Sequence, residues 1–364
     1  MRQKNIKTTD VLIAGGGPAG LCAALAAASL GAKVVLIDEN EVLGGQLVKQ
    51  THKFFGSEKQ YAGTRGIHIK DILISEVEAS SSIEVINDAT VMGYYTEDGI
   101  VTYIKNDDFY KIKPGKVIFA TGASERMLPF PKNDLPGIYG AGGVQTLMNV
   151  YGIAPGNNVL MIGAGNIGLI VSYQLIQAGV NVQAIVEAMP KIGGYLVHAS
   201  KIRRAGVPIY TSHTIKEAYG QDAVEGAVIW EVDEKWQPIP GTEKDIKADN
   251  ICLAVGLTPA TELLWQAGCE MKYVPELSGH VPVRNMYLQT TLEDIYVAGD
   301  AAGVEEASSA MVEGRLAGYS AAKNLGLGKD RADALIQDAL DELSSLREGE
   351  VGAKIRKGLE KIIV

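Results

Sequence analysis

Cysteine is scarce in this chain. There are three in 364 residues, Cys22, Cys252 and Cys269. No two lie close enough to form a C-x-x-C pair, and an odd count in so long a chain argues against a disulfide framework and for a reducing compartment. An excess of positive charge is also missing. The formal net charge is −9, which speaks against wholesale nucleic-acid binding. It does not exclude small phosphate ligands, because backbone N–H groups can bind them. A long unbroken apolar run is missing too. Residues 11–37 carry no charge except Lys33, yet Gly15, Gly16, Gly17 and Pro18 interrupt them, which suits neither a membrane span nor a signal peptide. With no targeting segment read, a cytoplasmic protein is expected. His198, His213 and His280 are isolated and lack ligand spacing, so no metal site is expected.

What is abundant is glycine, at 42 residues, much of it at strand–helix turns. Asp10-Val-Leu-Ile-Ala reads as a short strand buried on both faces. Pro18 to Leu30 is helical in character, Gly31 ends it, and Lys33-Val-Val-Leu-Ile-Asp38 returns as a parallel strand. Between strand and helix stands Gly15-x-Gly17-x-x-Gly20, with Pro18 and Ala19 inside it. The first glycine permits a tight turn, the second lets backbone approach a pyrophosphate, and the third lets helix and strand pack closely. A phosphate would then meet the helix N-terminus, and Asp38 would accept hydrogen bonds from a ribose. Strand, helix and acid in this order point to a dinucleotide.

The same grammar recurs one domain's length later. Asn158-Val-Leu-Met-Ile is a strand, and Gly163-x-Gly165-x-x-Gly168, with Asn166 and Ile167, is the turn. Leu169–Gln177 is a helix and Asn181–Glu187 the next strand. Glu187 would bind an adenosine ribose and repel a 2′-phosphate, favouring NAD over NADP. ATP, or no ligand at all, stays open for this second site. Elsewhere, 83–120 reads as short strands with turns at Asp98-Gly99 and Pro114-Gly115. The stretch 207–255 reads as a meander through Val207–Tyr210, Val224–Val232 and Ile251–Val255. The tail from Ala332 to Val364 is helical in pattern, with Leu335, Ile336, Ala339, Leu340 and Leu343 on one face.

Two further turns follow apolar strands: Ala120-Thr121-Gly122, and Gly299-Asp300 after Tyr296-Val-Ala. Together with Gly15, Gly17, Gly20, Asp38 and Gly44-Gly45-Gln46, they resemble the two-dinucleotide-binding flavoproteins, the pyridine nucleotide-disulfide oxidoreductase-like family that includes glutathione and thioredoxin reductases. The resemblance covers about residues 8–325. It implies an α/β fold of two Rossmann-like FAD/NAD(P)-binding domains with three-stranded β-meander insertions. The FAD domain would be discontinuous, 1–125 and 284–364, and the NAD-type domain would be 126–283. It implies FAD on Gly15, Gly17, Pro18, Ala19, Gly20, Asp38, Glu39, Gly45, Gln46, Val91, Ala120, Thr121, Gly122, Gly299 and Asp300. A helix within Ala301–Gly318 would aim its N-terminus at the flavin pyrimidine. The second site would use Gly163, Gly165, Asn166, Ile167, Gly168 and Glu187.

The redox cysteine pair of the disulfide reductases is absent: Gly45-Gln-Leu-Val-Lys-Gln-Thr51 holds no Cys. Cys22, in the first turn of its helix, reads as a packed small residue, and Cys252 and Cys269 as structural. The run Ala120 to Pro131, then Leu135-Pro-Gly-Ile-Tyr, Gly143-Val-Gln-Thr-Leu and Pro155-Gly, resembles α subunits of heteromeric proline and hydroxyproline dehydrogenases, hydrogen cyanide synthase, opine oxidase and sarcosine oxidase. That resemblance implies a partner flavoprotein and a small iron–sulfur protein, with any iron–sulfur centre on the partner chains. The expected chemistry is hydride exchange between NAD(H) and FAD, with no catalytic side chain required. The alternatives are a stand-alone NADH-dependent reductase and a non-catalytic, FAD/ATP-binding organising subunit. The stretch Lys49–Lys70 is basic and follows Gly45-Gln46. It reads either as a flavin-proximal loop using His52, Lys53 and Arg65, or as a solvated face anchored by Phe54-Phe55.

Overall fold

A computed structural model describes residues 6–54 and 57–364, apart from the side chain of Val351. The chain opens with β1 (Lys7–Ala14), α1 (Pro18–Ser29), β2 (Val34–Ile37), α2 (Gly66–Ala79) and β3 (Ile83–Ile86). Then come β4 (Thr90–Tyr95), β5 (Ile100–Lys105), β6 (Asp108–Phe119), β7 (Ala123–Glu125), β8 (Ile138–Gly140) and α3 (Ala141–Asn149). β9 (Asn158–Ile162), α4 (Asn166–Gln177), β10 (Asn181–Glu187), α5 (Leu196–Arg204) and β11 (Ile209–Thr211) follow. Next are β12 (His213–Tyr219), β13 (Gly226–Glu231), β14 (Lys244–Lys247), β15 (Asn250–Leu253), β16 (Leu257–Pro259) and α6 (Glu262–Ala267). The chain closes with β17 (Met271–Val274), β18 (Gly279–Pro282), β19 (Ile295–Val297), α7 (Ala307–Asn324), α8 (Ala332–Leu346) and α9 (Gly349–Leu359).

Two compact units result: Met1–Ser124 with Thr258–Val364, and Glu125–Leu257. In the first, β3, β2, β1, β6 and β19 run parallel in that order. The inner halves of β1 and β2 are buried on both faces, as their unbroken apolar runs require. Alternation splits β1 between two cores. Val11 and Ile13 pack with α1, α2 and α7, while Leu12 and Ala14 pack with residues of β4, β5 and α6. Each large aliphatic side chain buried in this way contributes about 1.5–3 kcal/mol. The N-terminal half of β6 pairs antiparallel with β5, and β5 with β4, giving a three-stranded meander continuous with the parallel sheet. α1 lies against α7 at very short range: a Cβ at Gly314 would collide with the Ala19 carbonyl oxygen, and one at Gly318 with that of Ala23.

The second unit repeats the plan on a smaller scale. Its parallel sheet runs β11-β10-β9-β15-β8, with Val159 and Met161 facing the helices. Leu160 and Ile162 face the antiparallel meander β12-β13-β14, whose Ile215, Ala227 and Ile229 complete that core.

The structure revises several local expectations. Pro114-Gly115 is not a turn but lies inside β6, where the strand passes from the meander into the parallel sheet. Gly115 fits because a Cβ there would press on Leu325 and the Asp10 carbonyl oxygen. Val207–Tyr210 feeds β11, and Ile251 lies in β15; both strands belong to the parallel sheet, so the meander is confined to 213–247. The helical tail is divided into α8 and α9, and Leu335 and Leu340 are only partly buried. The chain rejoins the first unit at Thr258, earlier than residue 284. The reason is α6: Leu264 and Ala267 enter the core beside Leu12, and Gln266 holds both backbone groups of Tyr94, accepting from its N–H at 2.8 Å and donating to its carbonyl at 3.1 Å.

Candidate functional site: two nucleotide cradles

In the first unit, β1, β6 and β19 end level with one another, since Phe119 is in register with both Ala14 and Val297. Their carboxyl ends therefore deliver Gly15, Ala120-Thr121-Gly122 and Gly299-Asp300 to one sheet edge, where open α/β sheets bind ligands. Backbone bonds tie these turns together: Ala120 N donates to Ala14 O at 2.8 Å, and Ala298 N to Phe119 O at 3.0 Å. Gly15 sits at φ +110°, and a Cβ on it would collide with the Ala120 carbonyl. Gly20 touches Gly15 so closely that no side chain fits. Gly17 caps α1 and Pro18 opens it, with no side-chain cap bond, so the first-turn N–H groups point out along the helix dipole. These are the features a pyrophosphate needs, so the residues present fit a dinucleotide.

Asp38 is buried and serves the turn directly. Its Oδ2 accepts from Gly16 N at 2.5 Å, and its Oδ1 accepts from Asn40 N at 2.8 Å and Asn40 Nδ2 at 2.9 Å. Glu39 beside it is exposed. Gly45 and Gln46 begin a short 3-10 helix, held over the cradle by Gly44 N donating to Gly16 O at 2.8 Å. Val91 lies at a bulge in β4, opposite Tyr103. Thr121 Oγ1 donates to Ala260 O at 2.6 Å.

The helix expected within Ala301–Gly318 starts later, at Ala307, and runs on to Asn324. Gly299–Ala302 forms a separate 3-10 turn, Gly303 follows at φ +139°, and Val304 N turns away to Leu277 O. Loss of solvent around Asp300 lifts its carboxyl to about 6, with Glu313 and Glu305 pushing the same way and a bond from Glu305 N at 3.3 Å opposing.

Behind this turn lies a buried ion network that the sequence reading missed. Gly299 N donates to Glu313 Oε2 at 3.0 Å. The other oxygen, Oε1, accepts from Arg347 at 2.6 Å and Arg284 at 3.3 Å, and Arg347 also grips Glu305 through two bonds of 2.7 and 3.1 Å. Arg284 and Glu313 are each 2% exposed. The available signal was Glu313 in the Ala- and Gly-rich first half of α7, with Glu305 and Glu306 just before it.

Within the basic stretch Lys53 forms an antiparallel bridge with Arg65, and Phe54 N donates to Thr64 O at 2.9 Å. Lys53 and Arg65 are exposed together, and the His52 ring stacks on Phe54 at 5.9 Å. The expected anchor Phe55 lies outside the described residues.

The second unit repeats the main backbone bonds of the first cradle. Gly163 N donates to Val186 O at 2.7 Å, and Ala254 N to Ile162 O at 2.7 Å. Gly163 sits at φ +107° with no room for a Cβ beside the Ala254 carbonyl, and Gly168 packs on Gly163. Glu187 takes the place of Asp38, accepting from Ala164 N at 2.8 Å and Met189 N at 2.9 Å. Gly165 caps α4 without a side-chain bond, Asn166 Oδ1 accepts from Tyr195 N at 2.8 Å, and Ile167 is exposed in the first turn. Two parts escaped the sequence reading. Gly193-Gly194 covers the turn as Gly44-Gly45 does, with Gly194 N on Ala164 O at 2.9 Å. Ala254-Val255-Gly256 stands where Ala120-Thr121-Gly122 stands in the first unit. Both were legible as a second copy of motifs already read in the first half.

All three cysteines are free and buried. Burial pushes the Cys22 thiol up to about 12 and raises Cys252 and Cys269 as well. Among the described residues, no helix is long and apolar enough to cross a membrane.

Two linked Rossmann-like units, each with a glycine cradle and an acid closing it, define an FAD- and NAD(P)-binding flavoprotein. The chain belongs to the pyridine nucleotide-disulphide oxidoreductase family, whose sequence model matches residues 9–314, and it is an FAD-dependent oxidoreductase. It is 29% identical over 334 residues to an opine oxidase subunit from Agrobacterium tumefaciens (strain Ach5), covering 87% of this chain and 66% of that one. It is 27% identical over 329 residues to the HcnB subunit of hydrogen cyanide synthase from Pseudomonas aeruginosa, covering 85% and 70%. The fold matches the crystal structure of L-proline dehydrogenase from P. horikoshii with a TM-score of 0.68 at 22% identity, covering 92% of this chain and 60% of that one. The chain thus spans less than two thirds of the length of its opine oxidase relative.

Proposed function

We propose that this chain is the nucleotide-binding electron-transfer subunit of a multi-subunit amine or amino-acid dehydrogenase. FAD would occupy the first cradle and NAD(H) the second. The observation that carries the reading is the duplicated cradle without a redox dithiol: two nucleotide sites, and three cysteines that are buried, single and held protonated. A dithiol relay has no residues here, which directs electrons toward a partner flavin or an iron–sulfur centre on another chain. The relatives named above as enzyme subunits support the same assembly.

FAD, when bound, supplies hydride and single-electron chemistry; the protein supplies orientation and electrostatics. Ala19 and Gly20 N–H groups would hold the pyrophosphate, and Asp38 and Glu39 the ribose. Ala120, Thr121, Gly122 and Val91 would line the adenosine and linker, and Gly299-Asp300 the ribityl–phosphate end. Gly45 and Gln46 would close over it, and His52, Lys53 and Arg65 would stand near the ring. In the second unit Gly163, Gly165, Asn166, Ile167 and Gly168 would seat the second pyrophosphate. Glu187 would discriminate against a 2′-phosphate. The role of Ala307 at the start of α7 would be to present backbone dipole to negative charge.

An anaerobic titration with NADH is the test. Stoichiometric loss of the flavin's visible absorbance, with weaker reduction by NADPH, is the expected result. No bleaching would turn the reading toward an organising subunit. Rapid dye reduction by the chain purified alone from its source would turn it toward a self-sufficient reductase.

A further inference from the structure

The ion network behind the Gly299 turn opens onto a cavity of about 240 Å³. Its polar lining includes three guanidinium side chains, Arg284, Arg347 and Arg356, and no carboxylate; its other wall includes Leu340, Leu343 and Ile363. The carboxylates that serve these arginines, Glu305 and Glu313, face Arg347 and Arg284 from within the network. Arg356, at the exposed rim, meets neither of these carboxylates and donates instead to the backbone carbonyls of Arg347 and Gly349. Arg284 is 2% exposed and paired with Glu313 through Nη2, yet its Nε–H has no hydrogen-bond acceptor among the described residues. A buried guanidinium donor without a partner is costly, and a carboxylate is the group whose geometry matches it. Arg356 and Ile363 stand at the exposed side of the cavity, one cationic and one apolar.

We propose that this cavity binds a small monocarboxylate with an aliphatic tail. The carboxylate pairs with Arg284 and Arg356, and the tail lies along Leu340, Leu343 and Ile363. Charge fixes one end, and burial of apolar surface favours a tail over a bare anion. The site is distinct from both nucleotide cradles and does not depend on the proposed electron-transfer role. It adjoins the first cradle through Glu313, whose second oxygen holds the Gly299 N–H.

The test is calorimetric titration of the full FAD-loaded chain with hexanoate. Saturable binding is expected, with hexanol and inorganic phosphate each at least about tenfold weaker, because one lacks the charge and the other the tail. Leu340→Trp, which fills the cavity, should weaken hexanoate at least about tenfold while the flavin absorbance is retained. If that variant loses its fold, Arg356→Gln at the exposed rim decides, by weakening hexanoate or leaving it unchanged. No saturable binding of hexanoate, phosphate binding as tight as hexanoate, or binding indifferent to these substitutions would each overturn the proposal.

Discussion

Asp300 stands in the turn after β19 with Glu313 behind it, and its carboxyl is raised by loss of solvent from 3.8 to about 6. A carboxyl that titrates higher in the folded chain favours folding only while it is protonated. The FAD-free chain should therefore lose stability as pH rises from about 4 through about 6, and the loss should persist above. Asp300→Asn removes the charge and keeps the shape. It is expected to melt higher than the parent chain above pH 6 when both are free of FAD, with the gain shrinking toward pH 4. Equal melting curves at pH 8 would show that Asp300 is not held against its charge. Cys22 gives the complementary case. With its thiol pushed up to about 12 inside the α1–α7 packing, it should resist a thiol reagent at pH 8 in the native chain. All three cysteines should react after denaturation, and fast native labelling of one would restore a thiol role. At this scale the sequence was readable wherever a residue's task is local. Gly15 and Asp38 act within one strand–turn–strand unit, so spacing betrays them. Glu313 and Arg347 act through partners tens of residues away, and no local pattern marks an ion pair of that kind.

The turn after β19, the helix α7 and the tail helix α8 form one mechanical piece, because Arg347 from just beyond α8 and Glu313 from α7 meet behind Gly299. Glu313→Gln would leave two arginines facing a neutral amide in a buried site. Removing one partner of a buried pair costs about 3–5 kcal/mol, so a large drop in denaturation midpoint is expected. A drop smaller than about 1 kcal/mol would place the network among solvated surface pairs instead. Faster FAD release should accompany it, since Gly299 N loses its anchor. The close contact of α1 and α7 can be probed separately: Gly314→Ala must push the helices apart, at a cost of about 1–3 kcal/mol. Element existence was legible in the apolar runs of β1, β2, β9 and β10. Element boundaries were less so. Pro114-Gly115 carries turn residues, yet the strand runs through them because the parallel sheet and the meander share β6. Likewise β11 looks like any alternating strand, and only its parallel pairing with β10 assigns it to the nucleotide sheet.

At the level of the whole chain, two units carry the same cradle with different closing acids, Asp38 in one and Glu187 in the other. Duplication allows one site to be disabled while the other serves as an internal control. Gly163→Ala places a methyl against the Ala254 carbonyl at a backbone angle, φ +107°, that disfavours any side chain. The turn must open, and the N–H groups at the start of α4 lose their aim. Gly15 and its partners belong to the other compact unit and keep their own bonds. FAD content per chain should therefore be unchanged, while reduction of the bound flavin by NADH slows at least about tenfold at a fixed low NADH concentration, a loss of about 1.4 kcal/mol or more. Chemical reduction with dithionite should still bleach the flavin fully, which separates a lost nucleotide site from a damaged flavin site. If the variant keeps its FAD and accepts electrons from NADH at the parent rate, the second cradle is not the entry point for reducing equivalents, and its duplicated architecture serves packing alone.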